Sequence, residues 1–196
     1  DATGGGGGGG AGYGGKGGKG TYAPGYPYGV TNAPLSPGSG GGNYGSSRGG
    51  NGGGLVRIEA VDSVVIDGTV TANGGSVSSW VSAGSGGSIH IICGTFGGAA
   101  TGIIRANGGN TDQSNSGGGG GGRIAVWYNV PAGRIAGIFD GSNMRHVITT
   151  NTYERFGGML AVTNGVGRYI VPPDGAEPGS LVFLTVKRLG SVIRVR

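Results

Sequence analysis

Apolar positions along this chain gather into short branched runs separated by glycine, and none of them recurs with a helical period. LVRIEA (55–60), SVVIDGTVTA (63–72), SIHIICG (88–94), GIIRA (102–106) and RIAVWY (123–128) are rich in Val and Ile and partly alternate. That is the pattern of β-strands, in which side chains two apart share a face. HVITT, GMLAVTNG, GRYIVPP and SLVFLTVKRLGSVIRVR continue it past residue 142, the last reading as a hairpin about Leu189-Gly190. The chain is therefore expected to be all-β.

The runs repeat. GGLVRIEA from Gly53, GGSIHIIC from Gly86 and GGRIAVWY from Gly121 share one form, with first branched residues Val56, Ile89 and Ile124 spaced by 33 and 35. GTVTANGG and GIIRANGG end 34 apart, at Gly75 and Gly109, and AGIFDGS from Ala136 is a worn further copy. A fixed period of this size predicts units that stack on one another. The fold expected is a β-solenoid-like or stacked-sheet repeat body at 52–142. Val56, Ile58, Ile89, Ile91, Ile124 and Val126 should face its core. Residues 1–51 form a glycine- and tyrosine-rich segment before it, and 143–196 a small C-terminal β-module or cap. Asp67-Gly68, Asn73-Gly74 and Asn107-Gly108 read as turns.

Glycine occupies 53 of the 196 positions, about four times the ordinary share. Its longest runs, 4–10 and 117–122, abut other structure, and without Cβ atoms extended glycine segments can lie very close together. Polyglycine-II-like tracts joined by lateral hydrogen bonds and Cα–H···O contacts would offset the entropy glycine loses on ordering. Residues 117–122, trapped between two strands, are expected to be ordered. Residues 4–20 read equally as ordered or as a flexible tail. The Tyr/Pro-rich stretch 21–45 reads as an extended cover over a glycine face, its Tyr22, Tyr26, Tyr28 and Tyr44 also being candidate glycan contacts.

The net charge is +5, from 14 basic and 9 acidic residues, and Arg194 and Arg196 belong to a basic C-terminal strand that could mediate or block edge pairing. Aromatics are too few there for nucleic-acid binding. Cys93, the single cysteine, excludes an internal disulfide and reads as a buried small residue. Glu59, Asp62 and Asp67 are the one local acidic cluster, and they read as a solvated strand edge, not an acid/base pair. His90 alternates with Ile89 and Ile91 and is expected at the surface; with His146 it is too little for a metal site. GAGYGGKG lacks the Ser/Thr and preceding strand of a phosphate loop. No cofactor, metal or catalytic residue is assigned. No apolar run approaches the ~20 residues of a membrane span, and the opening Asp1, without an initiator Met, reads as a processed, secreted N-terminus.

GGGLVRIEA, DGTVTANGG, GSGGSIHI and GGGGGGRIAVWY together resemble a glycine-rich repeat of very large secreted or surface-anchored bacterial proteins. A looser likeness is to glycine-rich phage tail-fibre adhesin tips. The resemblance covers about residues 4–142. It implies an extracellular, structural or adhesive role and no enzymatic activity. The function expected is a self-assembling subunit of a filament, sheath or surface layer, built from identical copies. A glycan-binding adhesin is the alternative, and a β-helical polysaccharide-degrading enzyme a second.

Overall fold

The computed structural model describes residues 8–135, 147–150, 155–168 and 175–186. They are mostly extended, and the single helical element among them is a 3₁₀ turn at Ala132–Arg134. Eight strands follow in chain order: β1 (Leu55–Val65), β2 (Thr69–Thr71), β3 (Ser88–Gly97), β4 (Ile103–Arg105), β5 (Arg123–Tyr128), β6 (Val147–Thr150), β7 (Met159–Ala161) and β8 (Ser180–Val186). They make a five-stranded sheet in the order β1-β3-β5-β8-β6 and a three-stranded sheet in the order β2-β4-β7. All pairings are parallel except β6 with β8.

The cassette spacing is also a spatial register. Val56 pairs with Ile89, Ile89 with Ile124 and Ile124 with Leu181; two residues on, Ile58, Ile91, Val126 and Phe183 form the next row. These rows pack with Ile104 of the other sheet, and with Ala106 and Phe156 from segments beside it, into one apolar core. Phe96 and Phe156 stack there, with ring centroids 5.3 Å apart. β3 is buried on both faces over Ser88–Cys93, as the centre of a parallel sheet requires. Strands read past residue 142 add to both sheets, β7 beside β4 and β8 beside β5. The hairpin expected at Leu189-Gly190 lies outside the described residues, as do Arg194 and Arg196.

Each parallel strand of the larger sheet is entered from an extended small-residue tract: 49–54, 82–87, 117–122 and 175–179. Those of the smaller sheet leave into 72–76, 106–110 and 162–166. The tracts are hydrogen-bonded to one another with a period of three residues, that of a polyproline-II-type helix. Gly117 and Gly120 donate to Gly8 and Ala11, Gly119 and Gly122 to Gly109 and Ala106, and Gly121 to Glu177. In return, carbonyls of 117–121 accept from Gly18 and Gly15, from Ala83 and Gly86, and from Gly165. Six segments thus surround this tract. They approach so closely that a Cβ on Gly119 would lie 1.9 Å from the Gly84 carbonyl oxygen, and one on Gly120 2.2 Å from that of Gly15.

Residues 117–122 are ordered, as expected. Order also holds from Gly8 to Gly20, where the chain reverses at Tyr13 and Gly10 donates to Gly18; residues 4–7 lie outside the described ones. The Asn-Gly pairs are not turns. Gly74 donates to Asn107 and Gly108 to Thr163 within the array. The Asn73 side-chain oxygen accepts from the Asn107 amide at 2.8 Å, and that of Asn107 from the Thr163 amide at 3.0 Å. Each Asn-Gly pair bonds to the neighbouring tract through both its backbone and its side chain, as the rung of a ladder.

Candidate functional site

The inner face of the five-stranded sheet meets the second sheet; its outer face carries Ser88, His90, Ile92, Arg123, Ala125, Trp127 and Leu184, all buried. The tyrosine-rich segment covers this face through Thr31, Asn32 and Ser36 and, as its composition suggested, also lies on glycine tracts, Gly25 donating to Gly10 and Gly38 to Gly53. Trp127 Nε1 donates to the Asn32 carbonyl at 2.7 Å and Ser88 Oγ to that of Ser36 at 2.6 Å. Arg123 reaches the Tyr28 carbonyl at 2.9 Å, Thr31 Oγ1 at 2.8 Å and Ser180 Oγ at 3.0 Å. It is a buried guanidinium held by neutral acceptors, and its five donors tie three segments together.

Tyr13, which sequence reasoning passed over, is the other anchor. Its ring is fully buried, its hydroxyl shares a 2.5 Å hydrogen bond with Ser88 Oγ, and Arg123 lies 5.5 Å from its ring centre. Burial pushes the phenol above its ordinary pKa. A lone aromatic ring inside a glycine run was the available signal.

His90 corrects an expectation. It does project opposite Ile89 and Ile91, but that face is covered, so the ring is fully buried with neither nitrogen hydrogen-bonded. Desolvation, with Arg57 beside it in register, lowers its pKa to about 4. Cys93 is buried as expected, and burial raises its thiol to about 11. Of the acids, Glu59 is paired with Arg57, and an Asp67 oxygen accepts from the Ala99 amide at 2.7 Å. Among the described residues no three of His, Cys, Asp and Glu lie together as a metal site, and no helix is long and apolar enough to cross a membrane.

The four tyrosines do not form a row. Tyr28 packs edge-on against Tyr13 at 4.9 Å and donates to the Pro37 carbonyl, which makes it part of the fold. Tyr44 closes a small turn with Ser47 through Gly45, whose φ is +56°, and Tyr22 is 36% exposed. Tyr26, 69% exposed and with the Lys16 ammonium 5.7 Å from its ring, joins Tyr28 at a cleft of about 820 Å³. Four segments line it, around 9–12, 23–28, 39–43 and 48–51, with Asn43, Arg48 and Asn51 on its walls.

A second surface lies along β1 and β2. Among the described strands β1 pairs with β3 alone and β2 with β4 alone, so each is the edge of its sheet. Leu55, Val61 and Val65 on β1 are 42%, 60% and 64% exposed. A register shift between Ala60 and Ser63, and the Arg57–Glu59 pair, interrupt the strand's length.

No family model matches the chain, and no curated protein or solved structure is measurably similar to it.

Proposed function

We propose that this chain is an extracellular structural protein that self-associates, a solenoid-like stack whose exposed end accepts a further layer from a neighbouring copy. The observation that carries this is the β1/β2 end, where among the described strands both parallel sheets have an unpaired edge and β1 leaves aliphatic side chains in water. An unpaired strand edge is a template for another strand, and contacts whose symmetry does not close produce a fibre. The Asn-Gly ladder, with partners 34 and 56 residues on, supports the reading, because its bonding pattern is indifferent to whether the next layer belongs to the same chain. So does the resemblance of the cassettes to surface-protein repeats. The role is architectural, not catalytic: the acidic side chains of the Glu59–Asp67 stretch that have partners serve an ion pair and a turn.

The register shift and the Arg57–Glu59 pair are devices that slow edge pairing. Association is therefore expected to be concentration-dependent. Electron microscopy and sedimentation should show oligomers or filaments that grow with concentration and are lost in Val61→Lys/Val65→Lys. A full-length chain that stays monomeric at high concentration defeats the proposal. Filaments unchanged by the double substitution would remove β1 from the contact.

A further inference from the structure

The hydrogen bonds of the glycine array show where it stops. In a threefold extended helix, amides three residues apart lie on one line, and the three lines point about 120° apart. In 8–13, the Gly10 and Tyr13 amides serve Gly18 and Gly15, and the Ala11 amide serves Ala83. Gly9 and Gly12 make up the third line, and neither amide donates to an acceptor among the described residues. That line is directed away from both 15–18 and 82–87. The Gly10 and Tyr13 carbonyls accept from Gly25 and Tyr28, which places 23–28 on one side of it. The tract 39–42, bonded to 82–85, flanks the other side. Between those two flanks lies the cleft.

The facing wall repeats the pattern. Gly38 and Gly41 donate to Gly53 and Gly50, and Ser39 to Ser85 Oγ, whereas the amides of Gly40 and Asn43, three apart, have no acceptor among the described residues. Gly40 also differs from the packed glycines in its surroundings, since a Cβ there would meet only the Gly50 carbonyl oxygen, at 3.5 Å.

We propose that the cleft binds an extended glycine-rich segment of another polypeptide as one more threefold strand of the array, separately from the β1 edge. Carbonyls at every third residue of that segment would accept from Gly9 and Gly12, and another series from Gly40 and Asn43. This is strand addition transposed from a sheet to a hexagonal array. The walls select glycine by spacing. Throughout the array, neighbouring tracts sit where an added Cβ would lie about 2 Å from the next carbonyl oxygen, as for Gly9 against Ala23 at 2.0 Å. An occupant at that distance has room for Cα hydrogens alone on its buried sides. Tyr26, exposed at the rim, is placed to cover it.

The test uses the full chain and two labelled peptides, Lys-(Gly)6-Lys and Lys-(Ala)6-Lys, followed by fluorescence anisotropy. The glycine peptide should bind at least about tenfold more tightly than the alanine peptide, and it should slow amide exchange at Gly9 and Gly12. Gly40→Trp, whose side chain enters the cleft, should weaken binding at least about tenfold while leaving the melting temperature unchanged. Equal affinity for the two peptides, no binding up to about 1 mM glycine peptide, or retained affinity in a folded Gly40→Trp would each overturn the proposal. The peptide comparison stands even if that variant fails to fold. Selective binding of a glycan that competes with the glycine peptide would give the cleft to carbohydrate.

Discussion

The two halves of this molecule fill their interiors by opposite means. Between the sheets, space is occupied by side chains: Ile89, Ile91, Ile124, Val126 and Phe183 against Ile104 and Phe156. In the glycine array the interior is backbone, and tracts such as 117–122 meet their neighbours through amides, carbonyls and Cα hydrogens. The sheet half draws on burial, worth about 1.5–3 kcal/mol for each fully buried aliphatic side chain. The array buries little carbon and relies on many hydrogen bonds of about 1 kcal/mol net each. A side-chain core can relax around a changed volume, whereas a backbone core has no rotamer to move. One added carbon and one removed carbon should therefore have very different consequences in the two halves.

The largest effect is expected where a carbon is added to the array. Gly119→Ala puts a methyl group 1.9 Å from the Gly84 oxygen and 2.6 Å from its carbon, inside van der Waals contact on a wall of backbone. Relief requires moving whole tracts, so the cost should exceed the usual overpacking penalty and reach about 4 kcal/mol or more. Thermal or denaturant unfolding measures it. A loss under about 1 kcal/mol would mean that the array breathes like an ordinary core.

The sheet half differs in a second respect, because it buries an ionisable ring. His90 has a folded pKa of about 4 against 6.5 unfolded. Between those values the unfolded chain takes up a proton that the native state refuses, so stability is complete above pH 6.5 and declines as pH falls towards 4. The decline attributable to His90 should be about 3 kcal/mol. His90→Leu should abolish that component and raise stability at pH 7, since it removes two buried nitrogens without partners. Urea midpoints of both proteins at pH 7 and pH 4.5 test the sign. A wild-type slope that persists in the variant would place the proton elsewhere.

How far these features were legible follows the same division. The strands and their register were, because Val56, Ile89 and Ile124, alike in their cassettes, pair with one another in sequence order. The face on which His90 projects was legible as well. That residues 28–36 would cover that face was not, since the covering segment lies over fifty residues away in sequence and carries no periodicity of its own. Asn73 and Asn107 misled because Asn-Gly is good turn chemistry and also a good rung; only the partners 34 and 56 residues on decide. The cleft was half visible through Tyr26 and Tyr28. Gly9, Gly12 and Gly40 could not be told from the other glycines by identity; they are marked by lining the cleft with amides that have no acceptor among the described residues.

A carbon removed from the sheet core provides the counterpart to Gly119→Ala. Ile91→Val deletes one methyl from a fully buried side chain in the row Ile58, Ile91, Val126, Phe183. Neighbouring aliphatic side chains can close part of the gap, and about 1 kcal/mol should be lost. If this variant proves as damaging as Gly119→Ala, the contrast between a core that adjusts and one that cannot is wrong.

The smallest expected effect has the opposite sign and isolates contact from composition. Gly54 lies at the end of a tract, immediately before β1, yet a Cβ there would meet nothing within 4 Å, and its φ is outside the left-handed range. An alanine at this position keeps every native contact. It also narrows the conformations open to the unfolded chain, which stabilises the fold by about 0.5 kcal/mol. Gly68→Ala, in the bend between β1 and β2, has the same open surroundings and should behave alike. If glycine as such were the requirement, both alanines would be harmful wherever they sat. If the requirement is close approach of backbone to backbone, they raise the melting temperature slightly while Gly119→Ala collapses it. Measuring the three variants side by side under one condition decides between these views, and destabilisation of Gly54→Ala by more than about 1 kcal/mol would favour the first.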